Sequence, residues 1–162
     1  MSDTAKRTPA RTRQRVGLIY LASTFFFVGL WGTLGTRSFF DGFPGGGHHW
    51  VAGDGPYNAH LVSDTAVGFL AVAVVLTLAA AWMERRVMQA ALAAAVVHTA
   101  LHLLFHLRRP SDELPAIDRL LSNGGLALGG LLALVLLVVV SRGGVPVPSE
   151  GPSGVSPPSV RV

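Results

Sequence analysis

The sequence predicts an all-α integral membrane protein, a four-helix bundle with an aromatic, glycine-rich outer loop between its first and second helices. Three observations carry that expectation. Half of the 162 residues are hydrophobic and only 14% are charged, too few charges to coat a water-soluble domain of this size. The apolar residues gather into four long runs, each near the ~20 residues that cross ~30 Å of hydrocarbon as a helix. The basic residues stand beside those runs, so the sequence pI of about 10.7 reads as membrane topology and not as a nucleic-acid footprint. No nucleic-acid partner is expected; the lipid bilayer is.

The runs lie at about 16–34, 61–83, 87–107 and 120–140. Backbone groups in lipid must be satisfied within the segment, which makes each run a helix. The bundle proper is expected over 16–142. Residues 1–15 read as a disordered basic head, and 143–162, a repeat of Pro, Gly, Ser and Val, as a disordered tail. Lys6, Arg7, Arg11, Arg13 and Arg15 precede the first helix, Arg85 and Arg86 occupy the short second turn, and Arg142 follows the fourth. The other two loops hold only Arg37, Arg108, Arg109 and Arg119. By the positive-inside rule both termini are cytoplasmic, in a multi-pass protein of the plasma membrane. The first helix is longer than a signal-peptide core and lacks a clear small-x-small cleavage site, so it reads as an uncleaved anchor.

The first loop, 35–60, carries Phe39, Phe40, Phe43, Trp50 and Tyr57 among glycines, a composition suited to a lid or re-entrant segment at the outer interface. Asn58 reads as the N-cap of the second helix. Asp41 and Asp54 read as ordinary loop residues, Asp54 in a Gly-Asp-Gly-Pro turn. In the fourth helix Gly124, Gly125, Gly129 and Gly130 have small-xxx-small spacing, which lets a neighbouring helix approach closely. That neighbour is expected within the chain; a second protomer or a membrane-complex subunit docked on the Gly125/Gly129 face is the alternative.

All six histidines fall between His48 and His106. His98, His102 and His106 recur every fourth residue and form one stripe on the third helix. At ~1.5 Å rise per residue, His98 comes near the bilayer midplane and His106 near the outer interface. His60 and Asp64 are likewise one turn apart at the outer start of the second helix. Ionisable residues inside a membrane are costly and point to a site facing the bundle interior. Three chemistries fit. With no cysteine in the chain, a metal must be held by nitrogen and oxygen, and His60, Asp64, His98 and His102 offer a mixed set for a transition metal such as iron or copper. Two histidines on opposing helices, from among His60, His98, His102 and His106, can ligate a haem. The same residues can act without metal as a proton relay or acid–base pair on a lipophilic substrate, with Asp64 tuning a histidine. The leading expectation is a metal or haem site for redox chemistry, as in a membrane-bound oxidoreductase with a lipophilic partner such as a quinone, and His106 as its outer gate. A metal-free isomerase or cyclase and an accessory subunit stand behind it. His48 and His49 would cap the site if the loop folds back, with Trp50 as its anchor. Transport is not expected from four helices with no internal repeat.

The run Phe43-Pro-Gly-Gly-Gly-His-His-Trp, followed by Asp54-Gly-Pro-Tyr-Asn-Ala-His-Leu-Val-Ser-Asp64, resembles a loop of small membrane proteins of high-GC bacteria, with a Gly-Pro-Tyr-Asn-x-His-Leu-Val-x-Asp pattern. In these a later helix ends in His-x-x-x-His-Leu, here His102-Leu-Leu-Phe-His106-Leu. They are similar in layout to the DoxX-like four-helix group. The resemblance covers about the middle half of the chain and implies the four-helix layout. It singles out His60, Asp64, His102 and His106 as motif positions, and it implies no particular chemistry.

Overall fold

The structure, a computed structural model, describes residues 3–142, with side chains from residue 10 onward. It consists of α1 (Asp3–Leu34), a short α2 (Thr36–Gly42), a 3-10 turn (Ala52–Asp54), α3 (Ala59–Trp82), α4 (Arg85–Arg108) and α5 (Ala116–Arg142). The stretches Ala10–Leu34, Ala59–Trp82, Arg85–Arg108 and Ala116–Arg142 are 24 to 27 residues long and apolar enough to cross a membrane. At ~1.5 Å per residue each clears the hydrocarbon core with about a turn to spare. The fold is a four-helix membrane bundle. The backbone of 3–15, expected as a disordered head, is the first part of α1; the expected tail, 143–162, lies outside the described residues.

Connectivity gives the bundle two ends. The start of α1, the α3–α4 turn and the close of α5 share the tail end; the two longer connections, 35–58 and 109–115, share the loop end. The helices pair as α1 with α3 and α4 with α5, and α3 joins the pairs by packing on α4. Leu18, Leu21, Ala22 and Phe25 of α1 meet Phe69, Ala73, Leu76 and Ala80 of α3, and Leu92 and Ala95 of α4 complete the core. Alanine dominates this seam. In lipid, helix association depends on close backbone approach more than on burying bulk.

The closest approach uses glycines of α1. A Cβ at Gly29 would stand 2.8 Å from the Leu70 backbone nitrogen, and one at Gly32 only 2.6 Å from the Ala66 Cβ. The α5 glycines behave otherwise. Gly124, Gly125 and Gly129 have open space where a Cβ would lie, and only Gly130 abuts a neighbour, the Thr99 side chain of α4 at 2.9 Å. The expected intrachain glycine contact is thus made by Gly130 alone.

At the tail end α3 stops at Met83, whose φ of 54° reverses the chain. Arg15 Nε donates to the Ala80 carbonyl at 3.1 Å, and Gln89 Nε2 reaches Ser141 Oγ at 3.1 Å. At the loop end, 35–58 is folded. Phe39 and Phe40 bury with Val62, and Trp31, Phe43 and Tyr57 surround them; Phe39 and Phe43 rings stand 4.8 Å apart. Asn58 caps α3 as expected, its Oδ1 accepting the Leu61 N–H at 3.1 Å. Gly45, Gly46 and Gly47 all hold positive φ, a run open to glycine alone. It turns the loop so that His48 reaches the α5 side.

Candidate functional site: a histidine column under an aromatic lid

The buried face of α4 begins with Met88, Ala91, Leu92 and Ala95. One turn further on, the same face becomes His98, His102 and His106. An α-helix brings residues four apart onto one side with a drift of only ~40°, so three consecutive turns of the interior end in imidazole. Phe25 and Phe69 wall the inner end, with ring centres 5.3 and 4.4 Å from His98. The His98 and His102 centres are 6.0 Å apart; His102 and His106 stack at 4.9 Å with planes only 25° apart.

The column ends on Asp54. His106 Nδ1 lies 3.6 Å from Asp54 Oδ2, with side chains 19% and 27% exposed. Burial pushes the Asp54 carboxyl above its ordinary value, and His106 offsets part of that shift. The 3-10 turn holding Asp54 is fastened from beneath, as Ser111 Oγ donates to the Gly53 carbonyl and a Cβ on Gly53 would strike Leu114. Arg119 in turn donates to the Ser111 carbonyl at 2.8 Å. At the other end of the column, His98 Nε2 is buried with no hydrogen-bond partner. Beyond it, among the described residues, the core runs on through the apolar Ala95, Leu92, Leu76 and Leu18. The column is open to a carboxyl at the loop end and blind at the middle of the bundle.

A second His–Asp contact crosses the same end. His48 Nδ1 lies 2.8 Å from Asp118 Oδ1, in the first turn of α5, and Asp118 is 7% exposed. His49 Nδ1 meets the Asp41 carbonyl. The two cross-loop pairs have opposite sense: the loop supplies the acid to His106 and the imidazole to Asp118. Together with the Ser111 contact they bind the aromatic loop across the α4–α5 side.

The predicted residues do not all meet. His98, His102 and His106 form the column. His60 and Asp64 pair with each other at 3.4 Å and are 87% and 63% exposed, on the far side of α3. The reason is helical phase. His60 precedes Phe69 by nine residues, about 180° around the helix, and Asp64 by five, about 140°. Phe69 is the residue that faces the column. Among the described residues no group of three or more His, Asp or Glu side chains is arranged to hold a metal ion. The stacked His102 and His106 rings carry their lone pairs in nearly parallel planes, which does not converge them on one centre. Two residues outside the expected set belong to the site. Asp54, read as a plain turn residue, closes the column, and Asp118 holds the lid. An aspartate in the first turn of a membrane-spanning helix was the available signal for Asp118; nothing local marked Asp54.

Fold and site together define a small multi-pass integral membrane protein. No family model, curated protein or solved structure matches the chain.

Proposed function

We propose that this protein carries out metal-free acid–base chemistry on a lipophilic molecule, moving protons along the column from the loop-end interface to a ligand held at His98. The observation that carries this reading is the continuity of the row. His106 Nδ1 is 3.6 Å from Asp54 Oδ2, and the His106, His102 and His98 ring centres follow at 4.9 and 6.0 Å. A bridging water spans such gaps better than direct contact, and the row ends on a ring nitrogen that has no partner. A buried polar atom without a partner calls for one, and a hydroxyl or carbonyl-type group on an apolar ligand supplies it. Imidazole changes charge near neutral pH, which suits it to passing protons in both directions. The blind inner end favours a reaction site over a transmembrane proton path, since among the described residues the core next to His98 on the tail side, through Ala95, Leu92 and Leu76, is apolar.

The resemblance of the loop to small membrane proteins of DoxX-like layout fits a four-helix reading and adds no chemistry. Arg11, Arg13, Arg15, Arg85, Arg86 and Arg142 gather at the tail end and four arginines at the loop end. On that asymmetry we place the tail end in the cytoplasm and the column at the outer half of a plasma membrane.

The test is carbon-bound deuterium. Chelator-treated protein is incubated in D2O with a total bacterial lipid extract, which is then examined by mass spectrometry. The reading predicts deuterium entering one lipid species, lost in His98→Ala and His102→Ala and retained in His60→Ala. Incorporation no greater than in His98→Ala sinks the proposal, and activity abolished by the chelator alone returns the case to metal chemistry.

A further inference from the structure

The lipid-facing side of α4 carries a second feature. Leu101, Leu104, Phe105 and Arg108 stand at i, i+3, i+4 and i+7, one stripe beside the histidines, and with Arg109 they line a groove of about 450 Å³. Leu101, Leu104 and Phe105 are all well exposed along it. The groove is apolar over ~10 Å of helix and then abruptly cationic at the loop end. Arg109 lies over the Phe105 ring at 5.9 Å. Among the described residues neither Arg108 nor Arg109 has a carboxylate at ion-pair distance, although Asp112 and Glu113 follow closely in the chain.

We infer that this groove is a binding site for one anionic lipid, its acyl chain along Leu101, Leu104 and Phe105 and its phosphate on Arg108 and Arg109. Charge complementarity names the occupant. Two adjacent guanidiniums at headgroup depth with no protein counter-ion are matched by a phosphate, which arginine grips through paired N–H donors. The groove opens sideways into the bilayer and not toward water, so the anion arrives attached to a chain. Two arginines at a helix C-terminus also complement its dipole, but that role needs no groove below them. The site does not rest on the acid–base reading and survives its failure.

Native mass spectrometry of the full chain, released from detergent with palmitoyl-oleoyl phosphatidylglycerol or phosphatidylcholine, tests the site. Wild type should retain phosphatidylglycerol about thirtyfold better than phosphatidylcholine, the order expected for two basic side chains near a membrane surface. Arg108→Gln/Arg109→Gln should erase the preference. Leu101→Trp/Leu104→Trp, which fills the groove and leaves both charges, should erase it too, and excess glycerol phosphate should not displace the lipid. Equal retention of the two lipids by wild type overturns the site with no variant needed. So does a preference that survives the arginine change. A preference that survives groove filling, or is displaced by glycerol phosphate, reduces the contact to a headgroup alone and overturns the inference as well.

Discussion

Asp54 ties stability and chemistry together at a single carboxyl. Its pKa is raised because folding half-buries it, with His106 opposing part of the rise. A carboxyl raised on folding contributes most stability while protonated, and that contribution is lost as pH climbs through the raised value. At neutral pH the half-buried carboxylate is therefore a cost. Asp54→Asn keeps the shape and removes the charge, so it should melt no lower than wild type at pH 7, and the gap should close toward pH 4. Thermal unfolding in detergent at the two pH values checks this; a marked loss at pH 7 would mean the His106 contact outweighs burial. Asp118 calls for the opposite treatment. It is almost fully buried, with His48 Nδ1 2.8 Å from its Oδ1, and stripping the neighbour from a buried polar group costs more than changing that group to an amide. His48→Ala should loosen the loop by roughly 1–3 kcal/mol, and Asp118→Asn by less. Amide hydrogen exchange over residues 45–53 reads the difference, and exchange unchanged from wild type in both variants would show that the pair does not hold the loop.

The helices differ in how much of their packing was legible. Their existence was plain, because a membrane span must announce itself as a long apolar run, and the observed spans agree with the expected ones to within a few residues apart from the long start of α1. The histidine stripe was equally plain, since i, i+4 spacing fixes a shared face whatever the surroundings. Phase was not. In α3 both faces are apolar: Val62, Ala66, Phe69 and Leu76 point inward while Leu61, Val67, Val74 and Leu78 meet lipid. A soluble helix betrays its buried side by polarity; this one does not, so His60 and Asp64 were assigned to the interior when they lie outside it. The glycines misled for a related reason. Spacing alone cannot tell which glycine a neighbour uses. Gly29→Leu should force α1 from α3, because the obstacle at 2.8 Å is backbone and cannot swing aside; overpacking of this kind costs about 1–3 kcal/mol. Gly125→Leu points into open space and should leave the melting temperature of the isolated chain unchanged. A drop on Gly125→Leu comparable to that on Gly29→Leu would contradict this packing. If Gly125→Leu instead broke co-purification with another membrane protein, the open face would be a docking surface.

Taken whole, the molecule places its partly buried histidines and aspartates toward one end, while the core toward the other is apolar. The loop 35–58 makes that possible. Its aromatic residues supply a small core of their own, its glycine run turns His48 toward Asp118, and its 3-10 turn lowers Asp54 onto His106. The lid was legible in the loop's aromatic and glycine composition, but the two His–Asp pairs were not, because they join residues far apart in sequence through a loop conformation that no periodicity encodes. On the proposed reading the column and the lid make one proton-handling unit, in which Asp54 should govern the histidines it is linked to and no others. Nitrogen-15 NMR of ring-labelled histidines in wild type and Asp54→Asn, titrated across neutral pH, measures that directly. The account predicts that the His106 and His102 titration curves both move in the variant while His60, paired with Asp64 on the far face of α3, stays where it was. Unchanged curves for His106 and His102, or a His60 curve that moves as far as theirs, would contradict it.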